Sequence, residues 1–450
     1  MANYDVIVVG AGTAGCMAAK TLASAGLNVC LVDRKQKQSI GEKVCGDAIG
    51  RHHFDNLDLT YPRGEELEQL TSGIDIYSPD QQTVFRVHEE RLSGFMVNRH
   101  LFGQRLLKEA SDAGAVLLDS THVLEAVLRK GSIRGVSAKN VKTGSKIELS
   151  SEVTIDASGV SAVLRSKVSP QIGIEQEVSK EDYVVCYREI RELEEEISKP
   201  DICRIYLNLE SAPGGYYWFF PEGGTKVNVG LGVAATGGFP NPKDQLHRII
   251  LENPPFKSST ILHGGGGIVP TRRPLDSLVG NGIVVIGDAA CQVNPIHGGG
   301  IGPSMTGGKI AGEVIVEALE EGNPSRDRLW PINVRYVRSY GAKQASLDVF
   351  RIFLQCLSNE ELNYGMRYRL ITEEDVLEAS LGGDVKLTVT DATRRVFEGL
   401  GRPQFLKRLY TMARTSKKIK RLYREYPDSP EGLPEWKVKV KELLRRIRNI

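Results

Sequence analysis

Cysteine is scarce in this chain and odd in number. The seven residues stand at 16, 30, 45, 186, 203, 291 and 356, with no CxxC pair. That argues against a disulfide framework, a zinc site and an iron–sulfur cluster, and for a reducing cytoplasm. Long apolar runs are also missing. No stretch approaches the roughly 18 residues of a membrane-spanning helix. The opening MANYDVIVVGAG lacks the basic and apolar regions of a signal peptide. There is no internal repeat and no low-complexity segment. No metal and no nucleic-acid partner are expected.

What remains is an ordinary soluble composition, 41% hydrophobic and 25% charged. At 450 residues the chain is too long for one core, so two or three structural units are expected. The net charge of +2 is unevenly spread. From Arg402 onward there are fifteen Lys and Arg against five Asp and Glu, a net of +10, which leaves −8 for the first 401 residues. A solvated helical tail is one reading. A docking surface for lipid headgroups or an acidic electron carrier is the other.

Residues 4–9, YDVIVV, read as a buried parallel strand. The turn Gly10-Ala11-Gly12-Thr13-Ala14-Gly15 follows, then a small-residue helix ending at Gly26. NVCLVD reads as a second strand closing on Asp33. Residues 98–113 read as a helix, and 115–160 as several strands. From 183 to 265 the spacing of YVVCYREI, CRIYLNL, GGYYWFFP and TKVNVGLGV suggests an antiparallel sheet. GIVVIGD (282–288) returns to the buried-strand pattern and runs into a helix from about Met305. Beyond 309 the pattern is helical and increasingly charged. The fold class is therefore α/β: a Rossmann-type dinucleotide-binding domain, an inserted antiparallel-sheet substrate domain and a C-terminal helical region. The expected dinucleotide-binding unit comprises 1–70, 98–165 and 268–330. The substrate unit comprises 71–97 and 166–267, and the helical basic region 331–450.

Gly10-x-Gly12-x-x-Gly15 lies between a strand and a helix, with an acid at the end of the next strand. The first glycine permits the tight turn, the second admits a pyrophosphate, and the third lets helix and strand pack. The helix N-terminus offers free N–H donors and partial positive charge to the anion. Asp33 can accept from ribose hydroxyls, which disfavours a 2′-phosphate and therefore NADP. HGGGGIVPTRRP (263–274) is not followed by an amphipathic helix and reads as a loop. No second nucleotide fold is left for NAD(P)H, so the electron donor must dock transiently or use a site without a motif.

Three further segments decide between FAD and NAD. Gly287-Asp288 at a strand end, then a glycine-rich loop and a helix, resembles the second fingerprint of the para-hydroxybenzoate-hydroxylase-like flavoproteins. That resemblance implies FAD, with Asp288 on the ribityl chain and Gly300 and Ile301 facing the flavin pyrimidine. A helix dipole there would stabilise anionic reduced flavin. Asp156-Ala-Ser-Gly through Arg165 resembles the same superfamily's Asp-Gly stretch. Arg99 matches its FAD-contacting arginine, and Val123 and Ala14 are carried over as cofactor-binding positions.

GEKVCGDAIG (41–50) places Cys45 in a polar glycine-rich loop, where flavin-side residue, proton donor and space filler are all open readings. The segment resembles the Cys-Gly stretch of the geranylgeranyl reductase family, whose members saturate isoprenoid double bonds. There the loop borders FAD, which implicates Cys45, Gly46 and Ala48; the family often has glycine at the last. Five of the chain's thirty aromatics then stand in a row, Tyr216 to Phe220. With Pro221 and Gly230-Leu231-Gly232 they resemble the family's Tyr/Phe-x-Trp-x-Phe-Pro…Gly-x-Gly signature. Strand geometry puts Tyr216, Trp218 and Phe220 on one face and Tyr217 and Phe219 on the other. KVNVGLG is the expected hairpin partner, and bare Gly230 and Gly232 leave room beside the three-ring face. The structural alternative is a sheet core between layers.

The resemblance, over about residues 1–310, implies an FAD-dependent prenyl reductase acting on a geranylgeranyl lipid. Hydride would pass to one alkene carbon and a proton to the other, with Cys45 or a water as proton donor. An external donor is expected, either a ferredoxin-like protein or NAD(P)H. Arg272 and Arg273 are candidates for an anionic lipid head at the pocket mouth, with salt bridging as the plain alternative. The expected location is cytoplasmic, peripheral on the inner face of the membrane. The rivals are an aromatic monooxygenase, a flavin halogenase with its similar Trp-x-Trp-x-Ile-Pro motif, and a non-catalytic lipid carrier that retains FAD.

Overall fold

The computed structural model describes residues 2–168, 170–236, 238–322, 324–381 and 402–448. Part of the expected helical basic region, at 382–401 and 449–450, lies outside the described residues.

The first strand, Ala2–Val9, pairs in parallel with Val29–Val32 on one side and Lys146–Asp156 on the other. Val116–Leu118 and Ile283–Val285 extend this parallel run outward. Val6, Ile7 and Val8 have no exposed surface. Consecutive apolar residues, rather than alternating ones, are what a strand covered on both faces requires. Three antiparallel strands, Thr121–Arg129, Ser132–Asn140 and Val279–Gly280, complete an eight-stranded sheet.

Two helices bring the two glycine motifs together. Thr13–Ser24 packs against Ile301–Glu320, which starts four residues earlier than the sequence suggested. A Cβ on Gly308 would lie 2.4 Å from the Ala14 carbonyl oxygen, and one on Gly312 2.7 Å from Thr21 Cβ. Only small residues allow this approach.

The second sheet has seven strands in the order Thr260–Pro270, Tyr183–Glu192, Lys226–Ala234, Tyr217–Pro221, Ile202–Tyr206, Gly73–Tyr77, Val84–Val87. It is antiparallel except where Ile202–Tyr206 runs parallel to Gly73–Tyr77. The aromatic strand and its expected hairpin partner pair from Tyr217↔Leu231 to Pro221↔Val227. One face carries its own core of Phe219, Val229, Leu231, Leu246 and Phe256.

The loop reading of HGGGG is wrong: Gly264–Gly267 form the middle of the Thr260–Pro270 edge strand, facing Cys186–Glu189. Interior glycine weakens a strand. Here it makes space, because a Cβ on Gly265 would sit 2.6 Å from Val44 Cγ2. The bare strand lets the 41–47 loop close onto the second sheet.

The C-terminal helices Pro403–Arg424 and Leu433–Arg448 return to the main core. Trp436 packs edge-on against Tyr423 and Tyr426, with 4.8 Å between ring centroids in each pair. Burying each such ring contributes about 2–3 kcal/mol. Among the described residues no helix is long and apolar enough to cross a membrane.

Candidate active site

The first glycine motif has the geometry its spacing implies. Gly10 sits at φ +105°, and a Cβ there would lie 2.4 Å from the Ala157 carbonyl oxygen. At Gly15 a Cβ would lie 1.9 Å from the Gly10 carbonyl oxygen. Gly12 differs: nothing lies within 4 Å of its virtual Cβ. It presents bare backbone to open space at the helix N-terminus, where an anion is best placed. Asp33 caps this turn, its Oδ2 accepting the Ala11 N–H and its Oδ1 the Lys35 N–H, both at 2.8 Å. Val123 is buried one strand away, and the Thr121 N–H donates to the Asp33 carbonyl at 2.8 Å.

Arg99 opens the Arg99–Asp112 helix and is 8% exposed. Its Nε and one terminal nitrogen are buried without a hydrogen-bond partner. Unmet guanidinium donors are costly. A flavin dinucleotide, with its phosphates and carbonyls, offers the acceptors they lack. Together with the open Gly12 face, they fit the cofactor.

Asp288 lies in the Gly287–Ala290 turn and takes Lys43 Nζ at 2.8 Å. A Cβ on Gly300 would come 3.2 Å from Asp288 Oδ1, so carboxylate and helix N-terminus are neighbours. Ile301 is the first residue of that helix, and no side chain caps it. The ring of His53 lies over the helix's first turn, within 2.2 Å of a virtual Cβ on Gly302. Asp156, in contrast, is spent on its own loop. Its oxygens accept from the Ser158, Leu164 and Arg165 N–H groups and from Ser158 Oγ.

The aromatic strand divides as period-two geometry predicts. Tyr216 and Trp218 are 6.0 Å apart between centroids, and Trp218 and Phe220 6.1 Å. On the opposite face Tyr217 stacks on Tyr206 at 4.4 Å, and Phe219 packs near Phe256 in the sheet core. The room expected beside Gly230 and Gly232 is taken by the chain itself. A Cβ at Gly230 would strike both Trp218 Cζ2 and Arg188 Cβ at 2.5 Å, and one at Gly232 would meet Val184 Cγ1 at 2.7 Å. Gly230 seats the indole and Gly232 admits Val184, so neither leaves room for a ligand.

The Cys45 loop lies against this wall, with a virtual Cβ on Gly46 only 3.1 Å from the Phe220 ring. Two side chains of the second sheet, Arg188 Nε and Asn228 Nδ2, donate to the Cys45 carbonyl at 3.1 Å each. Asn228 Oδ1 accepts from Trp218 Nε1 at 3.0 Å. Tyr216 OH donates to the His297 carbonyl at 2.7 Å. Burial first, and then the Asp47 charge, raise the Cys45 thiol above its usual value. Ala48 is exposed beside it.

Several residues here escaped the sequence reading. Asp47 is 2% exposed, and burial pushes its carboxyl up to about 7. Arg188, Asn228 and Glu222 surround it. His52, His53, His297 and Lys343 form a basic cluster near the helix start. Burial lowers all four, His297 to about 4 and Lys343 to about 8. His297 is exposed as a residue. The legible signal was a polar side chain inside an otherwise strand-like segment, as at Arg188 and Asn228. Arg272 and Arg273 are not at any mouth. They are 3% and 13% exposed in their side chains and face Glu175, Asp182, Asp276 and Asp348 in a buried ionic group.

The two large sheets and the paired glycine motifs are those of a flavoprotein oxidoreductase. A solved geranylgeranyl bacteriochlorophyll reductase-like protein from Thermoplasma acidophilum shares the fold at TM-score 0.75 and 23% identity, covering 92% of this chain and all of the other. The myxobacterial chondrochloren halogenase shares it at TM-score 0.64 and 18% identity, covering 96% and 99%. The profile of the geranylgeranyl reductase catalytic domain matches residues 182–269, and that of glucose inhibited division protein A matches 5–196. Digeranylgeranylglycerophospholipid reductase of Sulfolobus acidocaldarius is 45% identical over 98% of this chain and 97% of its own. The enzyme of that name from Methanothrix thermoacetophila is 33% identical over 86% and 95%. The chain belongs to the geranylgeranyl reductase family and is a flavin-binding oxidoreductase.

Proposed function

We propose that this protein saturates the isoprenoid double bonds of geranylgeranyl chains in archaeal membrane ether lipids. The observation that carries the reading is the contact of the Cys45–Gly46 loop with the face of Tyr216, Trp218 and Phe220. It joins the flavin-side loop to an apolar wall. When bound, reduced FAD supplies the hydride for one alkene carbon.

The chain supplies the rest. Residues 1–70, 98–165 and 268–330 form the FAD unit, 71–97 and 166–267 the substrate unit, and 331–450 the C-terminal basic region. Gly10, Gly12, Ala14 and Gly15 hold the pyrophosphate at the Thr13–Ser24 helix, and Asp33 takes the ribose. Arg99, Val123, Asp288, Gly300, Ile301, Gly46 and Ala48 complete the cradle. Tyr216, Trp218 and Phe220 align the prenyl chain and exclude water, at roughly 25 cal/mol per Å² of apolar surface covered. Alignment is decisive because an unactivated alkene is a poor hydride acceptor. The Cys45 thiol gives its proton to the second alkene carbon.

The protein meets its substrate as a peripheral, cytoplasmic-face enzyme, and a separate donor, ferredoxin-like protein or NAD(P)H, reduces it. The exposed face of Pro403–Arg424 supports the membrane reading. Lys407, Arg414, Lys417, Arg421 and Arg424 recur along it with exposed Tyr410 among them. A basic stripe of this kind binds anionic headgroups, and salt weakens it.

The deciding experiment is anaerobic. The flavin is reduced and mixed with geranylgeranyl lipid, and its absorbance is followed. Reoxidation with loss of substrate double bonds is expected. Flavin that stays reduced would defeat the reading, and oxygen-dependent turnover of a phenol would favour a monooxygenase instead.

A further inference from the structure

The Cys45 thiol has a buried neighbour that the motifs do not name. Asp47 follows it by two residues at φ +60°, a left-handed backbone rare outside glycine. The bend turns the carboxyl inward under the loop. Its Oδ2 accepts from Asn228 Nδ2 at 3.0 Å and faces Arg188 at 3.5 Å. Its Oδ1 is buried and has no hydrogen-bond partner. A carboxylate with one oxygen unsolvated and unpaired costs far more than the neutral carboxylic acid in the same place.

The surroundings set the balance. The Arg188 and Arg99 guanidiniums favour the charged form, while burial and the Glu222 carboxyl oppose it more strongly, leaving the group near 7. The Cys45 thiol lies on the same loop and also favours the charged form. Glu222 is itself raised by burial, with Lys226 and Glu68 around it. His263 Nδ1 occupies another arm of Arg188 at 2.8 Å. The thiol stands above its ordinary 9 partly because of the Asp47 charge. The pair is therefore ordered: Asp47 is the stronger acid and Cys45 the weaker.

We propose that Asp47 is the internal acid of this site, a positioning residue that keeps Cys45 protonated and restores its proton after each reduction. This rests on the prenyl-reductase reading for its substrate. The balance is simple. Hydride from reduced flavin forms one C–H bond and carries both electrons. The Cys45 S–H bond breaks as the second C–H bond forms, leaving thiolate. Asp47 O–H then passes its proton to the thiolate sulfur, and the Asp47 carboxylate recovers a proton from water. The transfer from Asp47 to Cys45 runs downhill, from the stronger acid to the conjugate base of the weaker one. Arg188 and Asn228 hold the Cys45 carbonyl and the Asp47 carboxyl together, so they fix the loop in which the relay runs.

The test uses the full-length, flavin-loaded protein and the variants Asp47→Asn and Asp47→Glu. Iodoacetamide labelling of the Cys45 peptide is followed by mass spectrometry across pH. The wild-type half-point should lie above pH 9, and Asp47→Asn should lower it because a neighbouring negative charge is gone. Asp47→Glu should keep it high, which also guards against a misfolded amide variant. An unchanged half-point in Asp47→Asn overturns the proposal. In turnover, the wild type should lose rate as pH rises through about 7. Asp47→Asn should be more than tenfold slower without that fall, and Asp47→Glu should recover part of it. A wild-type pH profile in Asp47→Asn likewise overturns the proposal. If no form reduces prenyl lipid while the labelling shift appears, the substrate reading fails and the Asp47–Cys45 coupling stands.

Discussion

The dinucleotide end and the Cys45 end each hold carboxylates, and they hold them differently. Asp33 is held by the backbone N–H groups of Ala11 in the glycine turn and of Lys35, and Asp156 by those of its following loop. Asp47 is held by side chains from the other sheet, with one oxygen left over. Backbone donors fix the orientation of the Asp33 and Asp156 carboxylates, which suits both to architecture. A side-chain clamp with a missing donor leaves the proton free to come and go. On the reading proposed above, the two ends of one site separate holding from chemistry.

The largest effect should come from breaking the backbone end. Gly10→Val forces a branched side chain into φ +105° and against Ala157. We expect flavin to be lost and stability to fall by about 3 kcal/mol or more, read by flavin absorbance and urea unfolding. If the variant retains flavin, the tight turn is not what holds it.

Trp218→Ala attacks the other end. Prenyl-lipid turnover should fall about 100-fold through lost alignment, while flavin retention barely changes. The opposite pattern would return the aromatic strand to a purely structural role. Lys417→Glu combined with Lys418→Glu touches neither end. It should cost about 2 kcal/mol of binding to anionic vesicles, measured by sedimentation at low salt, and leave Cys45 labelling alone.

The smallest effect is a slope. Asp47 is raised in the fold from 3.8 to about 7, so it adds stability that is fully present below pH 3.8 and lost as pH rises through 7. Over that window the loss is at most about 1.4 kcal/mol per pH unit. His297 acts in the opposite sense: lowered from 6.5 to about 4, it contributes stability that disappears as pH falls through that range. Urea midpoints from pH 4 to 7 should show a flatter curve for His297→Gln on the acid side. Asp47→Asn should remove the loss toward pH 7, and an unaltered curve there would mean Asp47 is charged throughout.

Local backbone demands were written in the chain. Gly10, Gly12 and Gly15 between a strand and a helix, an acid at Asp33 and the period-two division of Tyr216–Phe220 each follow from residues that are neighbours in sequence. Their geometry depends on φ, ψ and strand pleat, which short segments determine by themselves. The alternating pattern also located the second sheet. It misjudged Gly264–Gly267, because a glycine run has no side chains whose periodicity can be read, and its strand exists to admit Val44. It misplaced Arg272 and Arg273 for a related reason. A charge in a sequence gives no sign of the four carboxylates that fold around it.

The proton-bearing part of the site was decided by tertiary structure alone. Asp47 lies 141 residues from Arg188 and 181 from Asn228. Whether its carboxyl is charged depends on how many donors reach it and how much water is excluded. Those quantities exist only once the two sheets have closed on the 41–47 loop. The sequence by itself determined a dinucleotide-type turn and an aromatic strand. Packing decided how far the acid between them is desolvated, because desolvation is a property of the assembled interior and not of any one segment.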